Sequence, residues 1–403
     1  MLIKKENRLD LPEKHQRTRF LFFICGFHFL DDGFADSIYL LLPFIAIELH
    51  LSFSQVGILK GIFSGAMGFF QLPMSFLGEK IGELNVIAGG MFGLTCGFLL
   101  LSMSFSFLAI VFSLIFAKGT AAGQHPLGSS ILSRVFEASG QRMAMGTYNF
   151  SGDVGKICIP FLMTITINLW GWRRAISLMA IIGGIVVCTI FWGWAKKQRT
   201  EPPLPCVSLK ARQGGSRWGI HDRKSFSALV TIGIIDMSVR STLLTFLPFL
   251  LLLKGIPSTK LGYALTLLFA GGAAGKFVCG ILSERLGIIP VVVGTEALTF
   301  AGILALLWAS PTIMWLIMPL VGIMLNGTST VLYATVAESI SPAGRSRGYG
   351  LYYAVTQSAG ALSPVIYGLI TDSLGISFTV VCIALMALGT IPLCKFLSMN
   401  EDA

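Results

Sequence analysis

Charged side chains are scarce in this sequence: Asp, Glu, Lys and Arg make up 12% of its 403 residues. Soluble domains carry about 25%. Hydrophobic residues make up 54%, and the mean hydropathy is +0.76. Because a chain this apolar could not cover its own surface with polar groups, the composition excludes a soluble protein. It predicts that lipid surrounds most of the chain.

The sequence also lacks the side-chain patterns on which most enzymes depend. It has 8 cysteines and 5 histidines, with no disulfide framework and no metal-ligand spacing among them. No phosphate-binding loop or ATP-binding motif is present. We therefore expect a protein that is not an enzyme, binds no metal and needs no cofactor. Any active transport must then be driven by an ion gradient. A receptor or scaffold is disfavoured, because it would not need the charged residues that lie inside the apolar segments.

The basic residues are unevenly distributed along the chain. The net charge is +10, and Lys and Arg concentrate in residues 1–19, in residues 196–223 and in the even-numbered links between apolar segments. Lys and Arg mark the cytoplasmic side of a membrane protein. The pattern predicts a multi-pass protein of a bacterial inner membrane with both termini cytoplasmic. It favours the lipid bilayer over nucleic acid as the partner of these charges.

Twelve apolar segments are long enough to cross a bilayer, which takes about 20 residues. They predict an all-α membrane protein with twelve transmembrane helices, and short links make neighbouring helices antiparallel. The predicted spans are residues 20–48, 53–76, 85–104, 107–134, 143–170, 173–195, 224–253, 258–283, 288–309, 312–338, 346–372 and 376–398. The predicted domains are a cytoplasmic arm (1–19), a first bundle (20–195), a cytoplasmic linker (196–223), a second bundle (224–398) and a cytoplasmic tail (399–403).

The two halves of the chain are related by a weak internal repeat. A shift of 205 residues aligns Asp31 with Asp236, Gly57 with Gly262, and residues 79–82 with 284–287. A shift of 204 aligns Gly146 with Gly350, Tyr148 with Tyr352, and Pro160 with Pro364. This register is kept across five helices, so the sequence predicts two six-helix bundles that repeat in parallel.

Two links carry a motif half a chain apart. Residues 75–82 read Ser-Phe-Leu-Gly-Glu-Lys-Ile-Gly, and residues 280–287 read Gly-Ile-Leu-Ser-Glu-Arg-Leu-Gly. Both resemble the Gly-x-x-x-Asp-Arg-x-Gly loop of the major facilitator superfamily, although Ser75 replaces the first Gly, Glu replaces Asp in both copies, and the trailing basic residues are missing. The resemblance implies two bundles that rock around a central cavity, and a gating role for these residues: Glu79, Lys80, Gly82, Glu284, Arg285 and Gly287.

A second resemblance concerns one branch of that superfamily. The stretch from Arg240-Ser241 to Leu244-Thr245-Phe246-Leu247-Pro248 and the pair His125-Pro126 are similar to the fosmidomycin-resistance type of drug exporter. This resemblance implies proton-coupled export of a small organic compound, possible for a monomer by alternating access. A proton-coupled uptake symporter for small organic anions is the alternative, because the direction of flux is not written in the motifs.

The first span carries three carboxylates, Asp31, Asp32 and Asp36. A charge inside the bilayer costs several kcal/mol, so such residues are candidates for function. Asp32 and Asp36 share one helix face. Two carboxylates in a partly dry cavity repel each other, which suits a site that loads and unloads a proton. We interpret all three as candidates for proton coupling. The alternative is a structural ion pair with Lys60 or Arg240.

Further charged or polar residues are candidates for substrate contact. Arg240 is the most attractive, because a guanidinium grips a carboxylate or phosphonate through paired hydrogen bonds. Alternatives remain open: Asp236 and Arg240 could pair within their helix, His125 could be a core residue, and Asp153 could pair with Lys156. The candidate substrate-contact residues are Arg240, Asp236, Lys118, Gln124, His125, Asn149, Asp153, Lys156 and Gln357. Lys276 and Glu296 are weaker candidates.

A last group of charges lies near the predicted cytoplasmic face. They resemble the family's gating network, and we expect them to control conformation rather than to touch substrate. They are Arg134, Glu137 and Arg142 in the first half, and Glu338, Arg345 and Arg347 in the second.

Overall fold

The computed structural model describes residues 14–136, 140–198, 220, 222–340 and 345–397. The described chain folds into helices: α1 (Lys14–Leu49), α2 (Phe53–Ile81), α3 (Glu83–Ser102), α4 (Phe107–Ala121), α5 (Gln124–Val135), α6 (Gln141–Trp170), α7 (Trp172–Gln198), α8 (Arg223–Leu253), α9 (Leu261–Leu286), α10 (Ile288–Trp308), α11 (Pro311–Glu338), α12 (Arg345–Leu374) and α13 (Ile376–Leu388). No strand occurs among the described residues.

These helices make twelve spans, which confirms the predicted architecture. Helices α4 and α5 share the fourth span, and α13 with the 3-10 helix Ile391–Phe396 makes the twelfth. Nine spans are long and apolar enough by themselves to cross a membrane. The other three, α1, α2 and α12, carry more polar or charged residues. Helix α1 begins at Lys14, earlier than the predicted start at residue 20. Most of the predicted linker and tail lies outside the described residues.

The fourth span is broken where its sequence contains a proline. Helix α4 ends at Ala121 and α5 begins at Gln124. Pro126 has no N–H to donate, and its ring clashes with the carbonyl four residues earlier, which belongs to Ala122. The break at Ala122 and Gly123 therefore follows directly from Pro126. It places Lys118 on one side of the break and His125 on the other.

The two halves of the chain contact each other through a pair of symmetric hydrogen-bonded contacts at one end of the bundle. The odd-numbered links between spans lie at this end, which we call the odd-link end, and the even-numbered links lie at the opposite, even-link end. The Asp372 carboxylate of α12 accepts hydrogen bonds from the backbone N–H groups of Phe53 (2.7 Å) and Ser54 (2.9 Å), at the start of α2. Asn168 of α6 occupies the position that corresponds to Asp372 in the 204-residue repeat. It donates a hydrogen bond to the backbone carbonyl of Thr259 (3.0 Å), just before α9. The structure therefore pairs the halves in the same register as the sequence repeat.

Away from the odd-link end, the interface between the halves opens. On α2, a Cβ added at Gly57 or Gly61 would overlap the backbone of α12, whereas one added at Gly65 or Gly68 would meet nothing within 4 Å. The four glycines follow one another along the same helix, so α2 and α12 touch near their odd-link ends and then diverge. The halves are closed at the odd-link end and separated at the even-link end.

Candidate functional site

The charged residues of the first half converge on α1, at mid-length of the bundle. Asp31 is completely buried and accepts a hydrogen bond from the Lys118 ammonium of α4 (2.8 Å, Nζ to Oδ1). Its second oxygen, Oδ2, lies 3.4 Å from Nε2 of His125 on α5. Removing two opposite charges from water is favourable only if they are paired closely, and this pair meets that requirement. Asp31 is thus fixed in an ion pair, with one carboxylate oxygen left over.

Asp32 lies between three basic groups. Its Oδ2 is 3.1 Å from Nζ of Lys156 on α6 and 3.6 Å from Nε2 of His28, one turn earlier on α1. Its Oδ1 is 3.5 Å from Nε2 of His125. Gly152 of α6 provides the space for this arrangement, because a Cβ there would lie 2.5 Å from Asp32 Oδ2. Asp32 is therefore the centre of the group.

A chain of charges continues from Asp36 to the second half of the protein. The Lys156 ammonium is 3.9 Å from Asp36 Oδ2 and 3.7 Å from Asp153 Oδ1. Asp153 in turn accepts two hydrogen bonds from Lys276 of α9 (2.6 and 2.7 Å). Lys276 belongs to the other half, so one lysine, Lys156, connects the α1 carboxylates to an ion pair between the halves. We call the set His28, Asp31, Asp32, Asp36, Lys118, His125, Asp153, Lys156 and Lys276 the charge cluster.

The three α1 carboxylates differ in exposure. The exposed fraction of the side chain is 0% for Asp31, 11% for Asp32 and 23% for Asp36. Asp36 also has the longest contact to a cation. The three predicted proton-coupling residues are thus graded from a buried, fixed ion pair to a loosely paired carboxylate.

In the second half, Arg240 lies inside the bundle without a salt bridge to a described carboxylate. Arg240 of α8 donates to Asn326 Oδ1 (3.4 Å) and Ser329 Oγ (3.5 Å) of α11, and its other terminal nitrogen is 3.1 Å from the Met237 sulfur. Tyr333 interacts with it as well. Among the residues the structure describes, Arg240 forms no ion pair. Its hydrogen bonds to α11 go to neutral groups, and its interaction with Asp236 is not a salt bridge, so its N–H donors can still bind an anion.

The structure shows which of the possible charge pairs form among the described residues. Neither Lys60 nor Arg240 forms an ion pair with the α1 carboxylates within the described ranges. Lys60 donates instead to Ser64 (2.5 Å) and lies over the Tyr39 ring (4.9 Å). Asp236 is buried on α8 and makes no salt bridge with Arg240, although the two charges interact along the helix. The Asp153–Lys156 contact exists, but the shorter bonds of Asp153 go to Lys276.

The remaining substrate candidates lie in two environments. Gln124 is buried, and neither its side-chain oxygen nor its nitrogen has a hydrogen-bond partner in the described part of the chain. Asn149 and Gln357 are exposed. Glu296 is buried on α10.

The motif residues at the even-link end occupy the last turns of α2 and α9. Gly82 (φ 96°) and Gly287 (φ 85°) end these helices in a backbone conformation that side chains rarely adopt, which explains the glycine of the motif. Glu79, Lys80, Glu284 and Arg285 are exposed there.

The first motif copy is tied within its own half. Arg134 of α5 forms a short ion pair with Glu83, the first residue of α3. Other predicted gating residues lie outside what the structure describes: Glu137 entirely, and the side chains of Arg142, Glu338, Arg345 and Arg347.

Two residues of the site were missed from the sequence. His28 lies one turn before Asp32, a spacing that could have flagged it. Its ring stacks on Tyr148 (3.9 Å between centroids), and its Nδ1 is 2.7 Å from the Tyr148 carbonyl oxygen. Tyr148 was used only as a repeat marker. Its side chain donates to the Gln124 carbonyl (3.2 Å) and so ties α6 to α5.

An apolar groove lies away from these charges. It has a volume of about 720 Å³ and is lined by residues of α2, α3 and α4, among them Phe70, Leu100 and Phe112. It contains no ionisable side chain. Such a surface suits lipid chains and has no chemistry in common with the charge cluster.

Twelve helices in two repeated halves, with an ionisable network buried between them, define a polytopic membrane transporter. The model of the Major Facilitator Superfamily matches residues 21–220 and 229–402, and the chain belongs to this family. The superfamily resemblance drawn from the two motif copies is thereby confirmed.

Known relatives and solved structures agree with this assignment. The probable L-galactonate transporter of Escherichia coli is 25% identical over 51% of this chain and 45% of its own length. The fosmidomycin resistance protein of Escherichia coli is 22% identical over 90% of this chain and 89% of its own length. The crystal structure of the nucleoside transporter NupG shares the fold, with a TM-score of 0.76 at 14% identity over 95% of this chain and 100% of that one.

Proposed function

We propose that the protein is a proton-coupled exporter of a small organic anion. It would work as a monomer in a bacterial inner membrane, with both termini cytoplasmic. The observation that carries the proposal is that the two halves hold different kinds of charged group. The first half holds carboxylates in graded contact with lysines and histidines, and the second half holds Arg240, which forms no salt bridge with a described carboxylate.

Arg240 is the expected binding group for the anion. A guanidinium stays protonated and offers paired donors that match a carboxylate or phosphonate. Asn326 and Ser329 lie beside it and add further polar atoms. The relatives fit this chemistry, because L-galactonate carries a carboxylate and fosmidomycin a phosphonate. Tyr39 of α1 lies within electrostatic range of both Asp36 and Arg240, so the anion site and the acid site act on the same region.

Proton coupling would run through Lys156. This lysine is shared by Asp32, Asp36 and Asp153, at 3.1, 3.9 and 3.7 Å. A proton bound by Asp32 or Asp36 removes a negative charge next to Lys156, which then pairs more strongly with Asp153. Asp153 would in turn hold Lys276 of the other half less tightly. Proton binding thus weakens a contact between the halves, which is what an alternating-access carrier requires.

The predicted orientation determines which side of the membrane the open end of the bundle would face. With both termini cytoplasmic, the even-link end faces the cytoplasm and the odd-link end faces outward. The separation of the halves beyond Gly61 then opens the interface to the cytoplasm. In this state an exporter would receive its cargo.

Binding of an anion to the purified protein tests the proposal. We would measure the affinity for L-galactonate and for fosmidomycin in wild type, Arg240→Gln and the matched control Arg174→Gln, an exposed arginine at the start of α7. We expect saturable binding of at least one anion, lost in Arg240→Gln and kept in the control. A loss of one charge-assisted contact of about 1.5–3 kcal/mol corresponds to roughly 10- to 150-fold weaker binding. Equal affinity in both variants would refute the role of Arg240.

A further inference from the structure

Nitrogen and oxygen atoms of two histidines and two aspartates meet at the core of the charge cluster. His125 Nε2 is 3.4 Å from Asp31 Oδ2 and 3.5 Å from Asp32 Oδ1, and His28 Nε2 is 3.6 Å from Asp32 Oδ2. The ligand atoms of His28, Asp32 and His125 all lie within 4.8 Å of one another. Good hydrogen bonds are shorter, about 2.7–3.2 Å. These atoms are gathered but not bonded to each other.

The hydrogen bond of His28 fixes what its free nitrogen offers. Its Nδ1 lies 2.7 Å from the Tyr148 carbonyl, which can only accept, so Nδ1 carries the proton. In the neutral ring, Nε2 then holds a lone pair that faces the Asp32 carboxylate. Both His28 Nε2 and Asp31 Oδ2 are buried without a hydrogen-bond partner among the described residues. A buried acceptor without a hydrogen-bond partner is stabilised by a cation beside it.

From this geometry we infer that His28, His125 and Asp32 bind a divalent transition-metal ion such as Zn²⁺ or Co²⁺, with water as the fourth ligand. Metal bonds to histidine nitrogen and carboxylate oxygen of about 2.0–2.2 Å place tetrahedral ligands roughly 3.3–3.6 Å apart. The distance of 3.5 Å between His125 Nε2 and Asp32 Oδ1 lies in this interval, and His28 Nε2 lies 3.6 Å from the other oxygen of Asp32. A ligating histidine usually donates its other N–H to a carbonyl, as His28 does to Tyr148.

The nearby lysines leave one oxygen of Asp32 free for the metal ion. Lys118 bonds to Oδ1 of Asp31 and leaves Oδ2 free. Lys156 contacts Oδ2 of Asp32 at 3.1 Å and leaves Oδ1, the oxygen that faces His125, for the metal ion. The ion would use Asp32, a carboxylate that carries a proton in the proposed cycle. It would therefore block exchange.

Metal binding can be measured without transport, so its failure and a failure of the proposed function are distinguishable. The full chain, purified with an affinity tag that contains no histidine, is titrated with Co²⁺, and the ligand-field absorption of the bound ion is recorded. Equilibrium dialysis gives the stoichiometry. We expect one ion per chain, with the intense absorption of a tetrahedral site rather than the weak absorption of an octahedral one.

The variants are His28→Gln, His125→Gln and the control His50→Gln, a histidine in the turn after α1. We expect each of the first two to weaken binding by at least about tenfold, and the control to bind like wild type. Gel filtration and thermal unfolding show that the variants are folded. The inference is overturned if wild type does not bind, or if folded His28→Gln and His125→Gln bind as tightly as His50→Gln.

Discussion

The contact of Asp372 with the start of α2 predicts how tightly the odd-link end of the bundle is closed. An aspartate at a helix N-terminus accepts backbone N–H groups and interacts favourably with the helix dipole. Here the carboxylate comes from the other half, so its two bonds, at 2.7 and 2.9 Å, exist only while the halves are closed at the odd-link end. Substitution Asp372→Ala removes both.

The expected size of the effect follows from the geometry. Loss of a helix cap costs about 0.5–2 kcal/mol, typically about 1. In a cap that joins two halves, this free energy shifts the balance between closed and open states. A change of about 1 kcal/mol alters that population ratio roughly fivefold. The open state should therefore be about five times more populated in Asp372→Ala than in wild type.

Hydrogen exchange with mass spectrometry can separate opening from local fraying. Opening of the odd-link end exposes the start of α2 and also the opposite contact between Asn168 and Thr259. We expect faster exchange at both places in Asp372→Ala. The matched control is Asp222→Ala, which removes an aspartate cap of α8 within its own half and should affect only the start of α8. Faster exchange confined to α2 would refute the reasoning.

Two further predictions concern glycines with a matched control on the same helix. Gly152→Ala should lower transport, because its Cβ would lie 2.5 Å from Asp32 Oδ2 and overpacking of this kind costs about 1–3 kcal/mol. Gly146→Ala should leave transport unchanged, because its Cβ would meet nothing within 4 Å. Equal uptake by the two variants in proteoliposomes would contradict the prediction. Gly57→Ala should prevent closure of the odd-link end, because its Cβ would overlap the α12 backbone, whereas Gly65→Ala should leave closure intact. Closure is measured by the yield of cross-linking between α2 and α12. Equal yields for the two variants would disprove the prediction.

The general architecture could be predicted from the sequence because it depends on features that are local or repeated. Twelve apolar stretches require twelve helices in lipid. The two motif copies established the repeat. The structure extends that repeat to Asp372 and Asn168, which no motif marked.

The pairing of charges could not be predicted in the same way. Spacing on α1 shows which carboxylates share a face, but their partners depend on how α4, α5 and α6 are rotated against it. Asp31 therefore forms an ion pair with Lys118, and not with Lys60 or Arg240. The spacing of Asp236 and Arg240 allows a helical pair, yet Arg240 turns towards α11 instead.

Asp372 illustrates a different limit of sequence reasoning. One acidic residue near the end of a span resembles any solvated residue at a membrane surface. Its role appears only when the two halves are brought together, because the groups that it binds lie more than 300 residues away in the chain. Contacts between the halves are set by tertiary geometry, which no local pattern in this sequence encodes.

Proton exchange is the central claim, and the direction of proton flow tests it most directly. Purified protein is reconstituted in vesicles that contain the transported anion and a pH-sensitive dye, and the vesicles are diluted into anion-free buffer. An antiporter exchanges outgoing anion for incoming protons, so the account predicts that the lumen becomes more acidic, and that folded Asp32→Asn, which cannot load the central carboxylate, loses this signal. A lumen that becomes more alkaline would show symport, and an unchanged lumen during anion efflux would show no proton coupling; either result would contradict the account.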